Sequence, residues 1–410
     1  MTRGGVYDVG KIRKDFPVLS RKMNGRPLVY LDNAATAQKP ACVIDTIQKF
    51  YREEYATIHR GVYSMSQEAT ERVDAVREIC RRFLTAERTE EVLFVRGATE
   101  AINLVAAAWG RKFVGKGDEV IISAIEHHAN IVPWQRVCAE KEAVLRVIPV
   151  NDRGELLLDA YRQMLSDKVK MVAVTHMSNA LGTVNPIRQM ARLAHGAGAL
   201  FLADGAQGIA HQKVDVRDLG CDFYAFSSHK IYGPTGIGVL YGKLAHLESM
   251  DPYQTGGDMI ESVTFEKTTF AKTPRKFEAG TPAIAEILGL GAALDYVGAL
   301  GIERIEAYEQ QLLETAIRKL SQIPGVRFIG TAAERAGLVS FLLGDIHPHD
   351  VGTVLDQEGV AVRSGHHCAQ PVMNRFKVPA TVRASFGLYN TVEEIDALAD
   401  ALGKVGKIFA

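Results

Sequence analysis

"FSSHKIYGPTGIG" spans residues 226–238, and its reading decides the fold. It follows a short apolar stretch and turns through Gly233, Pro234, Gly236 and Gly238. Lys230 therefore sits on a rigid turn beside a buried strand. Burial disfavours an ammonium and lowers its pKa, and an amine so placed can form a Schiff base with an aldehyde cofactor. A lysine in a loop is more often a solvated surface group. Here Ser227, Ser228 and His229 flank it and supply donors for a phosphate close to the amine.

Outward from this turn, residues 90–242 alternate short apolar runs with helix-length segments. EVLFV (91–95), EVIIS (119–123), VLRVIPV (144–150), KMVAVTH (170–176), ALFLAD (199–204), DFYAF (222–226) and GVLYG (238–242) read as strands. Helices are expected between most of them, as at 98–109 and 186–196. Such alternation predicts an α/β fold with a mainly parallel sheet covered on both faces. Ligands in these sheets sit at the carboxyl ends of strands, which points at Thr99, His127, Asn179, Asp204 and Lys230.

Each of these positions has a chemical and a plainer reading. Asp204 ends a strand in LADGAQG (202–208), where a carboxylate can face the ring nitrogen of pyridoxal phosphate. It also reads as a turn or cap aspartate. Gln207, three residues on, can donate to a ring oxygen. RGATEAIN (96–103) puts Gly97, Ala98 and Thr99 at a helix start, where free amides bind phosphate. An N-cap threonine looks the same. His127, in EHHAN (126–130), can stack on a pyridine face or be structural.

After residue 283 the pattern becomes α+β. Helices are expected at 283–298, 302–322, 349–358 and 391–408, and strands at 326–330, 337–344, 359–363 and 382–387. This predicts a large domain at 25–290, and a smaller one formed by 1–24 and 291–410. Residues 254–280 read as a protruding hairpin or lid. The smaller domain carries RSGHHCAQP (363–371), with Cys368 directly after His366 and His367. Adjacent histidines are poor spacing for a tetrahedral metal, so no metal ligand is assigned there or in HPHD (347–350). HPHD reads as a helix start, with a role at the rim of the cysteine loop as the sharper alternative.

Composition narrows the class. The 410 residues carry 48 Lys+Arg against 48 Asp+Glu, with no basic block suggesting nucleic acid or an anionic membrane. The five cysteines are odd in number and form no CxxC pair. That fits a reducing cytoplasm and argues against a disulfide framework.

Nine motifs in order carry a resemblance. DNAAT (32–36), IHRG (58–61), GATEAIN (97–103), EHHAN, THMSNALGT (175–183), DGAQ (204–207), SSHKIYGP (227–234), FEAGTP (277–282) and RSGHHCAQP together resemble the group II, SufS-type cysteine desulfurases. These are fold-type I, aspartate-aminotransferase-like enzymes of the class V aminotransferase family, dependent on pyridoxal 5'-phosphate (PLP). The resemblance implies a Schiff base at Lys230, Asp204 on the pyridine nitrogen and Gln207 on the phenolate oxygen. It implies His127 over the ring as an acid/base, and Ala98, Thr99, Ser227 and His229 at the phosphate. Arg60 and Thr281 would reach the neighbouring subunit's phosphate in a homodimer. Asn179 and Arg383 would bind the substrate carboxylate. Arg363 would lie near the site, steadying the loop or helping to bind substrate.

The implied activity turns L-cysteine into L-alanine, with the sulfur held as a persulfide on Cys368. An acceptor of SufE or SufU type would take it for iron-sulfur cluster assembly. A selenocysteine lyase or cysteine sulfinate desulfinase on the same fold is the alternative. A cysteine hydrolase using Cys368, a histidine and Asn179 or Asn374 is the rival from another class.

Overall fold

The computed structural model describes residues 7–409. Residues 1–6, assigned above to the smaller domain, lie outside the described residues. All seven expected strands join one sheet, in the order Val92–Val95, Gly238–Gly242, Phe223–Ser227, Leu200–Asp204, Val169–Thr175, Glu119–Ser123, Val144–Ile148. The last five run parallel to one another, and Gly238–Gly242 is antiparallel to both of its neighbours.

Strand periodicity explains the two layers. Val172, Val174, Phe201, Ala203, Tyr224 and Phe226 face one apolar core. Met171, Ala173, Leu202, Phe223 and Ala225 face the other. Successive side chains of a strand point to opposite faces, so a run apolar at every position needs cover on both. Burial of both faces supplies most of the driving force for this layer.

Gly238 is required by close approach. A Cβ there would lie 2.5 Å from the Phe226 carbonyl oxygen and 2.6 Å from Gly97 Cα, both backbone atoms that cannot yield. Strands Val92–Val95, Gly238–Gly242 and Phe223–Ser227 therefore come together at the rim where Gly97 and Ser227 lie.

The second sheet is antiparallel, in the order Val326–Ile329, Leu338–Leu343, Thr381–Ser385, Arg363–Gly365. Helices Ile302–Leu320, Pro348–Gln357 and Val392–Ile408 cover it around Phe341, Val382 and Leu398. The expected strand 359–363 is interrupted. Val360–Ala361 pairs in parallel with Val29–Tyr30, and a separate strand begins at Arg363. Residues 290 and 291, where a domain boundary is expected, are consecutive residues of one helix, Ile284–Leu300, which packs on Ala41–Lys49 and Ser64–Leu84. Ile260–Val263 and Thr268–Phe270 form an antiparallel hairpin whose Phe265 is fully exposed. Among the described residues no single helix is long and apolar enough to cross a membrane.

The sheet's edge at Val92–Val95 is tied down by charge. Arg77 meets Glu278 in a two-point ion pair of 2.8 and 2.9 Å, and also donates to the Val92 carbonyl at 2.7 Å. Glu278 accepts from Phe94 N at 2.8 Å, and the guanidinium stacks 4.4 Å from the Phe94 ring centroid. Glu278→Ala leaves Arg77 buried and unpaired, and should destabilise by about 3–5 kcal/mol in denaturant titration. Gly403→Ala, at an exposed helix position with nothing within 4 Å of the new methyl, should instead stabilise by about 0.5–1 kcal/mol in the same assay.

Candidate active site

Four neighbouring parallel strands end on one rim, at Ser123, Thr175, Asp204 and Ser227. The residues at or just beyond these ends close one side of a cavity of 170 Å³. Arg363 and Arg383 close the other side from the second sheet. The cavity is lined by Ala98, Thr99, His127, Asn179, Asp204, Gln207, Ser227, His229, Lys230, Arg363 and Arg383, and also by His367. Beside it opens a recess of 550 Å³ that shares Thr99, Ser227 and His229.

Lys230 ends a single turn, Ser228–Lys230, directly after its strand. Burial pushes its ammonium down to about 8; Arg383 and Arg363 add to this, while Asp204 and Cys368 oppose it. Asp204 is buried at the cavity wall with its carboxyl raised, chiefly by burial and against the pull of Lys230. Its carboxylate accepts one protein hydrogen bond, from Ala206 N at 3.0 Å. A buried carboxylate with so little protein satisfaction needs a further donor. A pyridinium N–H is such a donor, so the residues present fit PLP.

His127 accepts from Ala129 N at Nδ1, at 3.0 Å, so the ring hydrogen resides on Nε2. Burial first, then the charge of Lys230, pushes this imidazole down to about 4. It is neutral at pH 7. The Ala98 amide is taken by Ser227 Oγ at 2.8 Å. Gly97 precedes the helix with φ 154° and ψ 178°, a region open essentially to glycine. Gln207 commits one amide hydrogen to the Ala34 carbonyl at 2.7 Å, which leaves the other available.

Protein contacts already engage several of the expected site residues. Asn179 does not present its amide nitrogen freely to a substrate: Nδ2 holds the His367 carbonyl at 2.6 Å, and its backbone carbonyl accepts from Arg383 at 2.9 Å. Arg60 and Thr281 lie outside the cavity. They line a separate recess of 230 Å³, with Arg60 Nε 3.6 Å from Asp258. Arg383 is 1% exposed and pairs with Asp32 at 3.0 Å, yet its Nε has no partner.

Cys368 is half-buried, and its Sγ lies 4.0 Å from Arg363 Nη2. Arg363 and Arg383 are direct partners across their two strands. Among the described residues no imidazole bonds the sulfur. His366 is exposed, while His367 is buried with Nε2 2.8 Å from Thr381 Oγ1 and Nδ1 unpartnered. Burial, then Arg383 and Arg363, pushes His367 down to about 3.

The loop is not a slack glycine turn. His367 and Cys368 both adopt left-handed backbone, at φ 54° and 55°, which costs roughly 1–2 kcal/mol per residue. Pins on both sides hold it. One is the Asn179 bond; the other is His128, whose amide donates to the Cys368 carbonyl at 2.8 Å and whose Nε2 accepts from Gln370 N at 3.1 Å. HPHD is a helix start: His347 accepts from His349 N at 3.2 Å, and Ser364 ties Pro348 to the strand before the cysteine.

The motif DNAAT reads as family signature alone, and EHHAN as a source of His127. Asp32, His128 and buried Glu126 are what sequence reading misses. Glu126 accepts from Thr175 N at 2.9 Å, Asn130 at 2.7 Å and the Ser123 hydroxyl, with its carboxyl pushed up to about 8, chiefly by burial. A carboxylate beside a strand end carrying Ser123 was the available signal for Glu126; Asp32 offered none.

Known proteins resemble this chain in sequence and fold. Residues 29–398 match the family described as aminotransferase class-V. A cysteine desulfurase of Synechococcus elongatus is 52% identical over 399 residues, covering 97% of this chain and 64% of that relative's length. One from Escherichia coli O7:K1 is 52% identical over 403 residues, covering 98% of this chain and 99% of that one. The crystal structure of the Escherichia coli cysteine desulfurase CsdA, in an S-sulfonic acid form, superposes with a TM-score of 0.92 at 37% identity, over 98% of this chain and 100% of that one. With its parallel sheet, its strand-end lysine and aspartate, and a match over nearly its whole length, the chain belongs to the class-V aminotransferase family of PLP-dependent enzymes.

Proposed function

We propose that the chain is a PLP-dependent cysteine desulfurase that converts L-cysteine to L-alanine and holds the sulfur as a persulfide on Cys368. One observation carries this reading. A cysteine sulfur on a pinned loop lies 4.0 Å from a guanidinium that lines the same cavity as Lys230 and Asp204.

Lys230 would hold the cofactor's aldehyde carbon, Asp204 its ring nitrogen and Gln207, through its second amide hydrogen, its ring oxygen. His127 would cover the ring. Thr99, in the first turn of the helix that Ala98 opens, would hold the phosphate together with Ser227 and His229 from the end of the neighbouring strand and the turn after it. When bound, PLP supplies an electron sink for the charge that develops at the substrate's Cα.

The chain's own groups do the rest. Lys230, as a neutral amine, removes the Cα proton. Arg383, through its unpaired Nε–H, and Arg363 hold the substrate carboxylate. Arg363 also places its guanidinium 4.0 Å from the Cys368 sulfur, and the thiolate is the form of a cysteine that attacks. Cys368 attacks the substrate sulfur: an S–S bond forms, and the Cβ–S bond breaks with its electron pair left on the carbon fragment. That fragment takes a proton at Cβ, Cα regains the proton that Lys230 removed, and the product leaves as alanine. His127, with its hydrogen on Nε2, is placed to donate near the cavity.

Arg60 and Thr281, remote from this chain's own cavity, would complete the cavity of a second copy in a homodimer. The persulfide would pass to an acceptor of SufE or SufU type for iron-sulfur cluster assembly in the cytoplasm. The family match and the named relatives support the desulfurase reading; the acceptor, compartment and dimer rest on the motif resemblance.

Intact-mass spectrometry after L-cysteine addition should show one added sulfur on Cys368, with alanine in solution. Cys368→Ala should show neither while still binding PLP. A wild type that gains no sulfur sinks the proposal. The lowered lysine makes a second prediction. Below about 8 Lys230 is an ammonium without a lone pair, and above it a free amine. Trapping of PLP on Lys230 by borohydride reduction of the cofactor-free protein should therefore rise with pH through about 8. An exposed lysine would need pH near its ordinary pKa of about 10.4.

A further inference from the structure

Thr36 and Lys39 follow the DNAAT motif's start, and the site above makes no use of them. Both reach the peptide that carries Lys230. The His229 carbonyl oxygen accepts from Ala37 N at 3.0 Å and from Lys39 Nζ at 3.0 Å. The Lys39 ammonium also donates to the Ala37 carbonyl. Thr36 Oγ1 lies 3.3 Å from that same His229 oxygen and 3.2 Å from His229 Nδ1.

A carbonyl oxygen has two lone pairs, and a hydroxyl has one proton to give. The amide and the ammonium, both closer than Thr36, occupy the two lone pairs. The Thr36 proton is left for Nδ1. A neutral imidazole that accepts at Nδ1 carries its hydrogen on Nε2. Burial, then Lys230 and Lys39, pushes His229 down to about 4, so the ring is neutral at pH 7. His229 lines both the cavity and the adjoining recess.

We propose that Thr36 and Lys39 are positioning residues that set the tautomer of His229. Lys39 fills the carbonyl, which commits the Thr36 hydroxyl to Nδ1 and leaves Nε2–H as a donor for an anionic phosphate oxygen. This rests on the reading that Thr99, Ser227 and His229 receive the cofactor's phosphate.

The test is equilibrium binding of PLP and of pyridoxal, which lacks the phosphate, to the full-length protein stripped of cofactor. Thr36→Val should weaken PLP binding about tenfold or more, the range for a hydrogen bond to a charged group. Lys39→Met should weaken it in the same direction, and Thr36→Ser should restore it to near wild type. Pyridoxal affinity should stay unchanged in all three. Equal losses for PLP and pyridoxal overturn the proposal, because the segment then merely holds Lys230 in place. Unchanged PLP affinity in Thr36→Val overturns it too. A wild type that binds both aldehydes but releases no alanine from cysteine overturns the desulfurase reading alone.

Discussion

A single buried guanidinium joins the parts of this molecule that chemistry needs together. Arg383 belongs to the second sheet, donates to the Asn179 carbonyl four residues beyond a strand of the first, and pairs with Asp32, two residues after the strand Val29–Tyr30. Burying a charge is costly unless it is paired and hydrogen-bonded, so these three segments are held in one arrangement. The direct cross-strand neighbour of Arg383 is another arginine, Arg363. Like charges so placed repel, and the Asp32 carboxylate, which feels both guanidinium groups, offsets that repulsion.

From that seam follows the state of the cysteine loop. Two consecutive left-handed residues persist only where surroundings over-determine them. Asn179, itself tied to Arg383 through its carbonyl, grips one carbonyl of the loop, and His128 grips the next. Strain and pins together aim the sulfur at Arg363 rather than at either neighbouring histidine.

Electrostatics divides the cavity. Asp204 brings a carboxyl to its wall from the first sheet, while Arg363 and Arg383 bring guanidinium groups from the second. Between them burial keeps three imidazoles, those of His127, His229 and His367, neutral at pH 7. An anionic substrate is drawn to the guanidinium groups, and the imidazoles that line the cavity stay uncharged. The same burial that builds the sheet thus sets which side chains can carry charge where the bonds change.

How much of this was legible follows from distance along the chain. Each strand of the first sheet was readable, because apolar runs encode their own burial within five or six residues. The strand ends marked Asp204, Lys230, Thr99 and His127, because in a parallel sheet the polar continuation falls on one rim. The motif order carried the family. Tertiary structure alone decided that Asn179 serves the cysteine loop and that the strand at 359–363 breaks in two. It alone joined Asp32 to Arg383 across 351 positions and Lys39 to the His229 carbonyl across 190. Hydrophobic periodicity is a local property of the chain. The partner of a polar atom is not, because any segment that folding brings within 3 Å can satisfy it.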